Sequence, residues 1–196
     1  MLEVAERELA PIYGDRVRFH AADLSCLTQD DIGTRADLIF STATLHWISD
    51  HALLFRRLFD LLDPGGWLIA QCGGGPNIAR LCERADRLMH AQEYAAWFAD
   101  WQETWYFAGA EETATRLADA GFADIETGIE YHPAIMADAA EFHSFVTTVI
   151  LRNQLARLPE ERLKVAFVDE LTRLAAEDDP PFELDFWRLN IRAMRP

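Results

Sequence analysis

The sequence DLIFSTATLHW, residues 37–47, is followed after a short interval by LLDPGGWLIA, residues 61–70. Each stretch contains an apolar run of strand length, and a Pro-Gly-Gly turn leads into the second run. Between the two runs, Leu54, Leu58 and Leu61 recur at the spacing of one helix face. Strand, helix and strand in about 35 residues have the size of one βαβ unit. The pattern therefore predicts two parallel strands joined by a helix.

Composition limits the possible classes of function. The chain has 196 residues, of which 50% are hydrophobic, so it can bury one core and is expected to form a single domain, 1–196. Its formal net charge of −15 disfavours a nucleic-acid partner and an anionic membrane surface, because both bind clustered Lys and Arg. A small-molecule substrate is the remaining expectation.

Cysteine usage and hydropathy indicate a reducing compartment. The three cysteines, Cys26, Cys72 and Cys82, show no CxxC spacing and cannot all pair with one another, so neither a disulfide framework nor a metal site is predicted. The N-terminus is charged from Glu3 onward, which is untypical of a signal peptide. No apolar run reaches the roughly 18 residues of a membrane span. We expect a cytoplasmic location.

The remaining elements complete an α/β pattern. A strand is predicted at 17–20, and a period of two predicts another at 124–131, near a sheet edge. The alternation that begins at Phe182 shifts phase near Leu189, which predicts a final strand with a bulge. Helices are predicted at 2–10, at 111–120, and in two segments between 142 and 174. Together these elements predict an α/β sandwich with a parallel sheet and an antiparallel end.

Candidate site residues follow the predicted strands. In open α/β sheets, ligands bind beyond the carboxyl ends of the strands. Those ends are Asp23-Leu24, Ser41-Thr42 and Gly73, and parallel neighbours would bring them to one crevice. For Asp23 the alternative is that it only caps the turn after its strand, as Asp often does.

The motifs resemble those of class I S-adenosylmethionine-dependent methyltransferases, and the nearest resemblance is to the trans-aconitate methyltransferase group. The residues that carry it are 37–47, the Pro-Gly-Gly turn at 64–66, Ala-Gly-Phe at 120–122 and the closing 189–196. The resemblance implies a Rossmann-like three-layer sandwich, S-adenosylmethionine as the cofactor, and O-methylation of a small-molecule carboxylate. It also implies helical cap insertions over the substrate, at about 76–108 and 137–177.

The resemblance assigns roles at the cofactor cleft. It places Asp23 and Leu24 beside the adenine, and Ser41 to Trp47 beside the methionine half of the cofactor. A sulfonium cation is stabilised by oxygen atoms and aromatic faces, which His46 and Trp47 could supply as rings. For a phenol acceptor, His46 would act as the catalytic base. The alternative for these two residues is structural: Trp47 packs under the next helix and His46 caps the strand end.

The acceptor pocket is predicted from glycine and aromatic residues. Gly73 and Asn77 belong to a glycine-rich segment that either approaches a substrate closely or is a plain turn. An aromatic stripe at helical spacing comprises Tyr94, Trp97, Phe98, Trp101 and Trp105. Such a stripe is usually core, but under the resemblance some of its rings could form pocket walls, and the candidates are Trp97, Trp101 and Trp105. Arg152 and Arg188 are candidates for the positive charge that an acidic substrate needs, with surface salt bridges as the alternative for both.

One feature of the family is absent from the sequence. Family members open with a strand, a Gly-x-Gly-x-Gly loop, a helix and a second strand, whereas Met1-Leu2-Glu3 is similar to a segment that follows these elements. The comparison predicts an N-terminally truncated domain that binds the cofactor poorly. The strand edge at 37–41 would then be exposed. We expect it to be closed by the strand at 17–20 or by a second copy, as a homodimer.

Two alternatives to an active enzyme remain open at this stage. The first is a non-catalytic methyltransferase-like remnant that acts through oligomerisation. The second is a fragment of an ordinary methyltransferase.

Overall fold

A computed structural model describes residues 2–196 of the chain. Its secondary-structure elements, in chain order, are α1 (Leu2–Tyr13), α2 (Gln29–Ile32), β1 (Ala36–Thr42), α3 (His51–Leu61), β2 (Leu62–Gly73), α4 (Ala79–Met89), α5 (Ala95–Phe98), α6 (Ala110–Asp119), β3 (Ala123–Tyr131), β4 (Ala134–Ile135), α7 (Ala139–Phe145), α8 (Arg152–Arg157), α9 (Glu161–Ala175), β5 (Glu183–Leu184) and β6 (Trp187–Met194). None of the helices described within residues 2–196 is long and apolar enough to cross a bilayer.

The central sheet has four strands in the order β1-β2-β6-β3. Strand β1 pairs with β2 in parallel, with Leu38 opposite Trp67 and Thr42 opposite Gln71. Strand β6 is antiparallel to both of its neighbours, β2 and β3. The α/β class, the βαβ unit at 37–70 and the edge strand at 124–131 are therefore confirmed.

Helix α3 forms as its apolar spacing predicts. Asp50 caps it, since the Asp50 carboxylate accepts a hydrogen bond of 2.9 Å from the Leu53 amide, satisfying one of the free amides at the helix start. Leu54, Leu58 and Leu61 are buried against the sheet. The helix thereby supplies much of one core layer and fixes the crossover between β1 and β2.

The sheet is covered on one face and open on the other. Helices α3 and α6 cover one face, whose buried members include Leu68, Leu117 and Leu189. On the other face Phe40 is 69% exposed and Leu38 is 51% exposed. Helix α1 does not cover this face, because none of its residues is buried. Of the three expected layers, residues 2–196 thus form two over this part of the sheet.

A second hydrophobic cluster lies beneath the helices that precede and follow α6. It joins α4, α7 and α9 to β5, and its fully buried members include Phe142, Phe167 and Leu171. Ion pairs tie this group together: Arg84 donates to Asp178 at 2.6 Å, and Arg80 to Glu183 at 2.5 Å. The helices around this cluster lie at the end of the sheet that contains the C-terminus of β2.

The predicted strand at 17–20 is wrong. Residues 17–23 have no regular secondary structure, and no strand of the sheet lies beyond β1 in the described chain. The apolar content of this segment is small, because only Val17 and Phe19 could face a core, and both remain only partly buried. A strand needs a paired neighbour to satisfy its backbone, and this segment does not pair with β1. The expectation that it closes the edge of the sheet is therefore also wrong.

Three element boundaries differ from the sequence-based expectation. Helix α1 continues through Pro11 to Tyr13 instead of ending at residue 10. Only Ala95–Phe98 of the aromatic stripe is helical, and 101–109 is irregular. The predicted bulged strand is in fact two strands, because β5 pairs with β4 in a separate two-stranded sheet while β6 enters the central sheet.

Gly74 offers a test of how tightly this end of β2 packs. A methyl group at Gly74 would collide with Cβ of Leu189 and lie 2.8 Å from the Ala108 carbonyl oxygen, whereas one at Gly128 would meet nothing within 4 Å. We expect Gly74→Ala to lower the free energy of unfolding by about 1–3 kcal/mol. The matched control, Gly128→Ala, should leave it unchanged or raise it by up to about 1 kcal/mol. Urea denaturation measures both, and equal midpoints for the two variants would contradict the packing described here.

Candidate functional site

Two loops meet at the carboxyl end of the parallel strand pair. The loop 43–47 follows β1, and the segment 74–77 follows β2, whose last residue is Gly73. The Ala43 amide continues the ladder by donating to the Gln71 carbonyl at 2.8 Å. Ala43 then turns the chain with a φ of 51°, a left-handed conformation that is uncommon for a residue with a side chain. This turn directs residues 44–47 across the end of the sheet.

The loop 43–47 lies between two cavities. The first, here named the β1 cavity, has a volume of about 390 Å³ and is lined by Leu24, Ser41, Thr42 and Thr44, among others. The second, here named the aromatic cavity, has a volume of about 220 Å³ and is lined by His46, Trp47, Trp105, Phe107, Phe186 and Arg188, among others. Two cavities separated by one short loop leave room for two ligands side by side.

His46 stands at the wall of the aromatic cavity and is held by the backbone. The Gly73 amide donates a hydrogen bond of 3.2 Å to its Nδ1 atom. The ring lies 5.3 Å from the Trp47 ring and 5.7 Å from the Phe107 ring, between centroids. Burial, followed by the charges of Arg188 and His51, lowers the pKa of His46 to about 4. The imidazole is therefore neutral near pH 7.

Arg188 supplies positive charge to the same cavity. Its guanidinium carbon lies 4.4 Å from the centroid of the Phe186 ring, a cation–π contact that holds the group in place. Within residues 2–196 it has no salt bridge and no side-chain hydrogen bond, although it is partly buried. An arginine held by an aromatic face keeps its N–H groups available for an anion.

A polar network fixes the wall opposite β1. The Tyr106 amide donates to the His46 carbonyl at 2.7 Å, and the Tyr106 hydroxyl donates to Glu112 at 2.8 Å. Arg116 donates to that hydroxyl at 2.9 Å. Since Trp105 and Phe107 flank Tyr106 and stack with ring centroids 5.8 Å apart, the network places both rings. Sequence reasoning missed these residues; the only local signal was Glu112 three positions after Gly109, a capping arrangement.

The structure divides the residues proposed for the cofactor cleft into two groups. Leu24, Ser41 and Thr42 come together in the β1 cavity, whereas His46 and Trp47 line the aromatic cavity. Asp23 is not brought into either. Its carboxylate is exposed and accepts a hydrogen bond of 2.8 Å from the Ser25 amide, and this contact with Ser25 lowers the pKa of Asp23. This geometry corresponds to the alternative considered for Asp23, in which its carboxylate caps the turn and does not contact a cofactor.

The residues proposed for the acceptor pocket also separate. Asn77 and Trp105 line the aromatic cavity and a neighbouring cavity of about 640 Å³, which Trp101 lines as well. Trp97 instead packs against the cluster beneath the helices, and its carbonyl accepts from Arg157. Gly73 lines neither cavity, but its amide binds the ring of His46. A Cβ at Gly73 would lie 2.7 Å from the side-chain amide nitrogen of Asn77, so a larger residue would require Asn77 to move.

The two candidate arginines occupy different places. Arg188 lines the aromatic cavity, as described above. Arg152 lines a separate depression with His143, Thr147 and Lys164. Of the two, only Arg188 is positioned to contact a molecule beside His46.

Comparison with known proteins identifies the family. Residues 1–70 match a family described as a methyltransferase domain. The chain is 34% identical over 191 residues to a trans-aconitate 2-methyltransferase of Methylobacterium radiotolerans, covering 92% of this chain and 66% of the relative. It is 31% identical over 169 residues to the enzyme of that name from Variovorax paradoxus, covering 81% and 60%. The chain thus spans about two thirds or less of the length of these curated relatives.

A solved structure supports the fold. A candidate methyltransferase of Bacillus halodurans C-125 superimposes with a TM-score of 0.60 at 14% identity, covering 100% of this chain and 78% of that one. At this level of identity the similarity concerns the fold alone.

The lowered pKa of His46 makes stability depend on pH. Between pH 6.5 and about 4 the unfolded chain holds a proton on His46 that the folded chain does not, so acidification favours unfolding. We expect the wild type to lose up to about 1.4 kcal/mol per pH unit in this window relative to His46→Asn, which has no titrating ring but keeps an acceptor for Gly73. Urea denaturation at a series of pH values measures the difference. A pH-independent difference between the two proteins would contradict the environment described for His46.

Proposed function

The chain belongs to the class I S-adenosylmethionine-dependent methyltransferase family, and we propose that it methylates a carboxylate oxygen of a small acid, using S-adenosylmethionine as the methyl donor. The observation that carries the proposal is Arg188, a cation without an acidic partner in an aromatic cavity next to the loop 43–47. The names of the relatives, which specify trans-aconitate, support the same class of acceptor.

Arg188 is informative because the chain is strongly acidic. The sequence contains 33 Asp and Glu residues against 18 Lys and Arg residues, so an arginine that pairs with none of them is not explained by surface charge balance. Most arginines of the cap segments, by contrast, pair with carboxylates, as Arg80 and Arg84 do. A planar guanidinium matches a carboxylate in a bidentate geometry. We therefore assign the acceptor carboxylate to Arg188.

The β1 cavity suits part of the cofactor. Among residues 2–196 no charged side chain lines it, which fits a sulfonium cation better than a site containing lysine or arginine would. We propose that Leu24 contacts the adenine and that Ser41 and Thr42 lie beside the methionine portion. When bound, S-adenosylmethionine supplies an electrophilic methyl group. The hydroxyl and carbonyl oxygens at the end of β1 would orient the cofactor toward the loop 43–47.

The acceptor end requires positioning more than proton transfer. A carboxylate is ionised at neutral pH, so its oxygen needs no base before it attacks a methyl carbon. The aromatic walls, Trp47, Trp105 and Phe107, would exclude water, and Arg188 would orient the acid. We propose that the segments 76–108 and 137–177 act as the cap of a single domain and provide these walls. The base role that the sequence predicts for His46 toward a phenol is the competing proposal for the same ring.

A second proposal concerns self-association through the open face of the sheet. Within residues 2–196 strand β1 pairs only with β2, so its other edge presents unpaired amides and carbonyls. Leu38, Phe40 and Ile69 are exposed beside that edge, and the apolar residues of α1 are exposed as well. We propose that a second copy covers this surface. Self-association could accompany catalysis, or it could be the sole role of a non-catalytic methyltransferase-like protein.

The Arg188 assignment predicts a specific loss of acid binding. We expect Arg188→Gln to weaken binding of trans-aconitate by at least tenfold, because the acid loses a charge-assisted bidentate contact. The matched control, Arg152→Gln, removes an equal charge outside the cavity and should change the affinity less than twofold. Isothermal titration calorimetry measures the affinities, first with the acid alone and then with S-adenosylhomocysteine present.

Methyl transfer is tested in parallel by mass spectrometry of the acid after incubation with S-adenosylmethionine. Formation of a methyl ester by the wild type and its loss in Arg188→Gln are the expected results. If Arg152→Gln weakened binding of the acid as much as Arg188→Gln does, the affinity would depend only on the net charge of the protein, which would contradict the assignment. Binding of S-adenosylhomocysteine without binding of any small acid would also overturn it.

The open face predicts a concentration-dependent dimer. We expect the wild type to elute as a dimer at micromolar concentration and Phe40→Lys to be monomeric, because a lysine at the centre of the face would be buried without a partner. Ile135→Lys, at another exposed apolar position on β4, is the control and should stay dimeric. Size-exclusion chromatography with light scattering distinguishes the states. A monomeric wild type at all concentrations would refute the proposal.

A further inference from the structure

We propose that His46 is held in the tautomer with its proton on Nε2 and donates a hydrogen bond to an ionised oxygen of the acceptor. The aromatic cavity would then accept acids and reject neutral hydroxyl compounds. The inference rests on the proposed function, because it takes the methyl acceptor to bind in the aromatic cavity.

The tautomer follows from the partner of Nδ1. A backbone amide can only donate, so the Gly73 amide, 3.2 Å from Nδ1, requires a lone pair on that atom. A neutral imidazole carries one proton, which must then be on Nε2. A cationic ring would direct a second N–H at the Gly73 amide and lose this contact.

The surroundings of the ring also keep it neutral. Arg188 approaches from β6 and His51 from α3, and both disfavour a further positive charge. From β2 comes Cys72, whose thiol is neutral because burial raises its pKa to about 11. The remaining neighbours, Trp47 and Phe107, are aromatic and do not titrate. Within residues 2–196 no carboxylate is among these neighbours, and burial together with the charges of Arg188 and His51 keeps the imidazole neutral.

The donor atom is free and accessible. Across residues 2–196, Nε2 of His46 makes no hydrogen bond, and it is not among the buried polar atoms that lack a partner. His46 and Arg188 line the same cavity, and no Asp or Glu of the described part of the chain does so. The side-chain donors of the cavity thus include Nε2 of His46 and the guanidinium of Arg188, and the described lining holds no carboxylate base.

This donor set decides which acceptors can react. When a carboxylate attacks, a C–O bond forms as the C–S bond to the methyl group breaks, and the anion and the sulfonium both become neutral. No proton is gained or lost in that step. A neutral alcohol or phenol would have to release a proton, and Nδ1 of His46 is already occupied by Gly73. The cavity therefore favours groups that are ionised before they bind.

A hydrogen-bond donor at Nε2 affects KM and kcat differently from a general base. The hydrogen bond from Nε2 is strongest to the full charge of the acid and weakens as that charge disappears in the ester. Its removal should therefore raise KM and leave kcat unchanged or slightly higher. A general base would behave in the opposite way, because its loss acts on the chemical step.

The tautomer can be tested without ligand or activity. In the full chain labelled with ¹⁵N, two-bond proton–nitrogen correlation spectra distinguish protonated from unprotonated ring nitrogens. We expect His46 to show unprotonated Nδ1 and protonated Nε2 from pH 6 to pH 8. A proton on Nδ1, or a cationic ring in that range, would overturn the inference and leave the Arg188 assignment unaffected.

Two isosteric variants separate the donor from the acceptor function of the ring. His46→Asn keeps an oxygen near the position of Nδ1 for the Gly73 amide but has no donor at Nε2, whereas His46→Gln places an amide N–H near Nε2. We expect the affinity for trans-aconitate to fall about tenfold in His46→Asn and to stay within about threefold in His46→Gln. The trimethyl ester of trans-aconitate, which has no ionised oxygen, should bind weakly and equally to all three proteins.

The outcomes distinguish this inference from the proposed function. If Arg188→Gln loses acid binding while His46→Asn does not, the donor role is wrong and the acceptor site stands. If neither variant changes acid binding, the proposed acceptor site itself is wrong. If both His46 variants bind the acid normally but form no ester, His46 acts on the chemical step and the donor role is overturned.

Discussion

The parallel hydrogen-bonded pairing of β1 with β2 is the constraint on which the site depends. It sets Thr42 opposite Gln71, so the loops that follow both strands begin at the same level of the sheet. The amide of Ala43 extends the pairing by one hydrogen bond before the chain turns. Because of this register, the Gly73 amide reaches the ring of His46. An antiparallel arrangement would have placed the two loops at opposite ends.

The aromatic walls depend on a second, longer-range set of contacts. Tyr106 is bound at its amide by the His46 carbonyl and at its hydroxyl by Glu112 and Arg116 of α6. Helix α6 itself belongs to the sheet core through the buried Leu117. The irregular segment 101–109 is therefore anchored to the sheet through Tyr106, which keeps the cavity walls in register with β1 and β2, while Trp101 and Thr104 contact the cap helices.

One face of the sheet and the outer edge of β1 are left uncovered within residues 2–196. Most of the covered face of the sheet is buried, while the open face carries exposed apolar side chains beside an unpaired strand edge. Exposed apolar surface next to free backbone groups favours association. The same face borders the β1 cavity, since Phe40 contributes to both surfaces. A molecule that covers this face would therefore also contact the wall of the β1 cavity, where the cofactor is proposed to bind.

The sequence by itself determined the βαβ unit, the edge strand β3 and the kinship with the methyltransferases, because periodicity, turn residues and motif spacing are local properties of the chain. It also indicated His46 and Arg188 as candidates. The tertiary structure alone decided their chemistry: which nitrogen of His46 is occupied, and that Arg188 and not Arg152 reaches the cavity. It likewise directed Asp23 to Ser25 and left 17–20 without strand pairing. The physical reason is that each of these properties depends on residues distant in sequence. Strand pairing, the tautomer of a histidine and the presence or absence of an ion-pair partner are all set by such contacts, which local patterns do not contain.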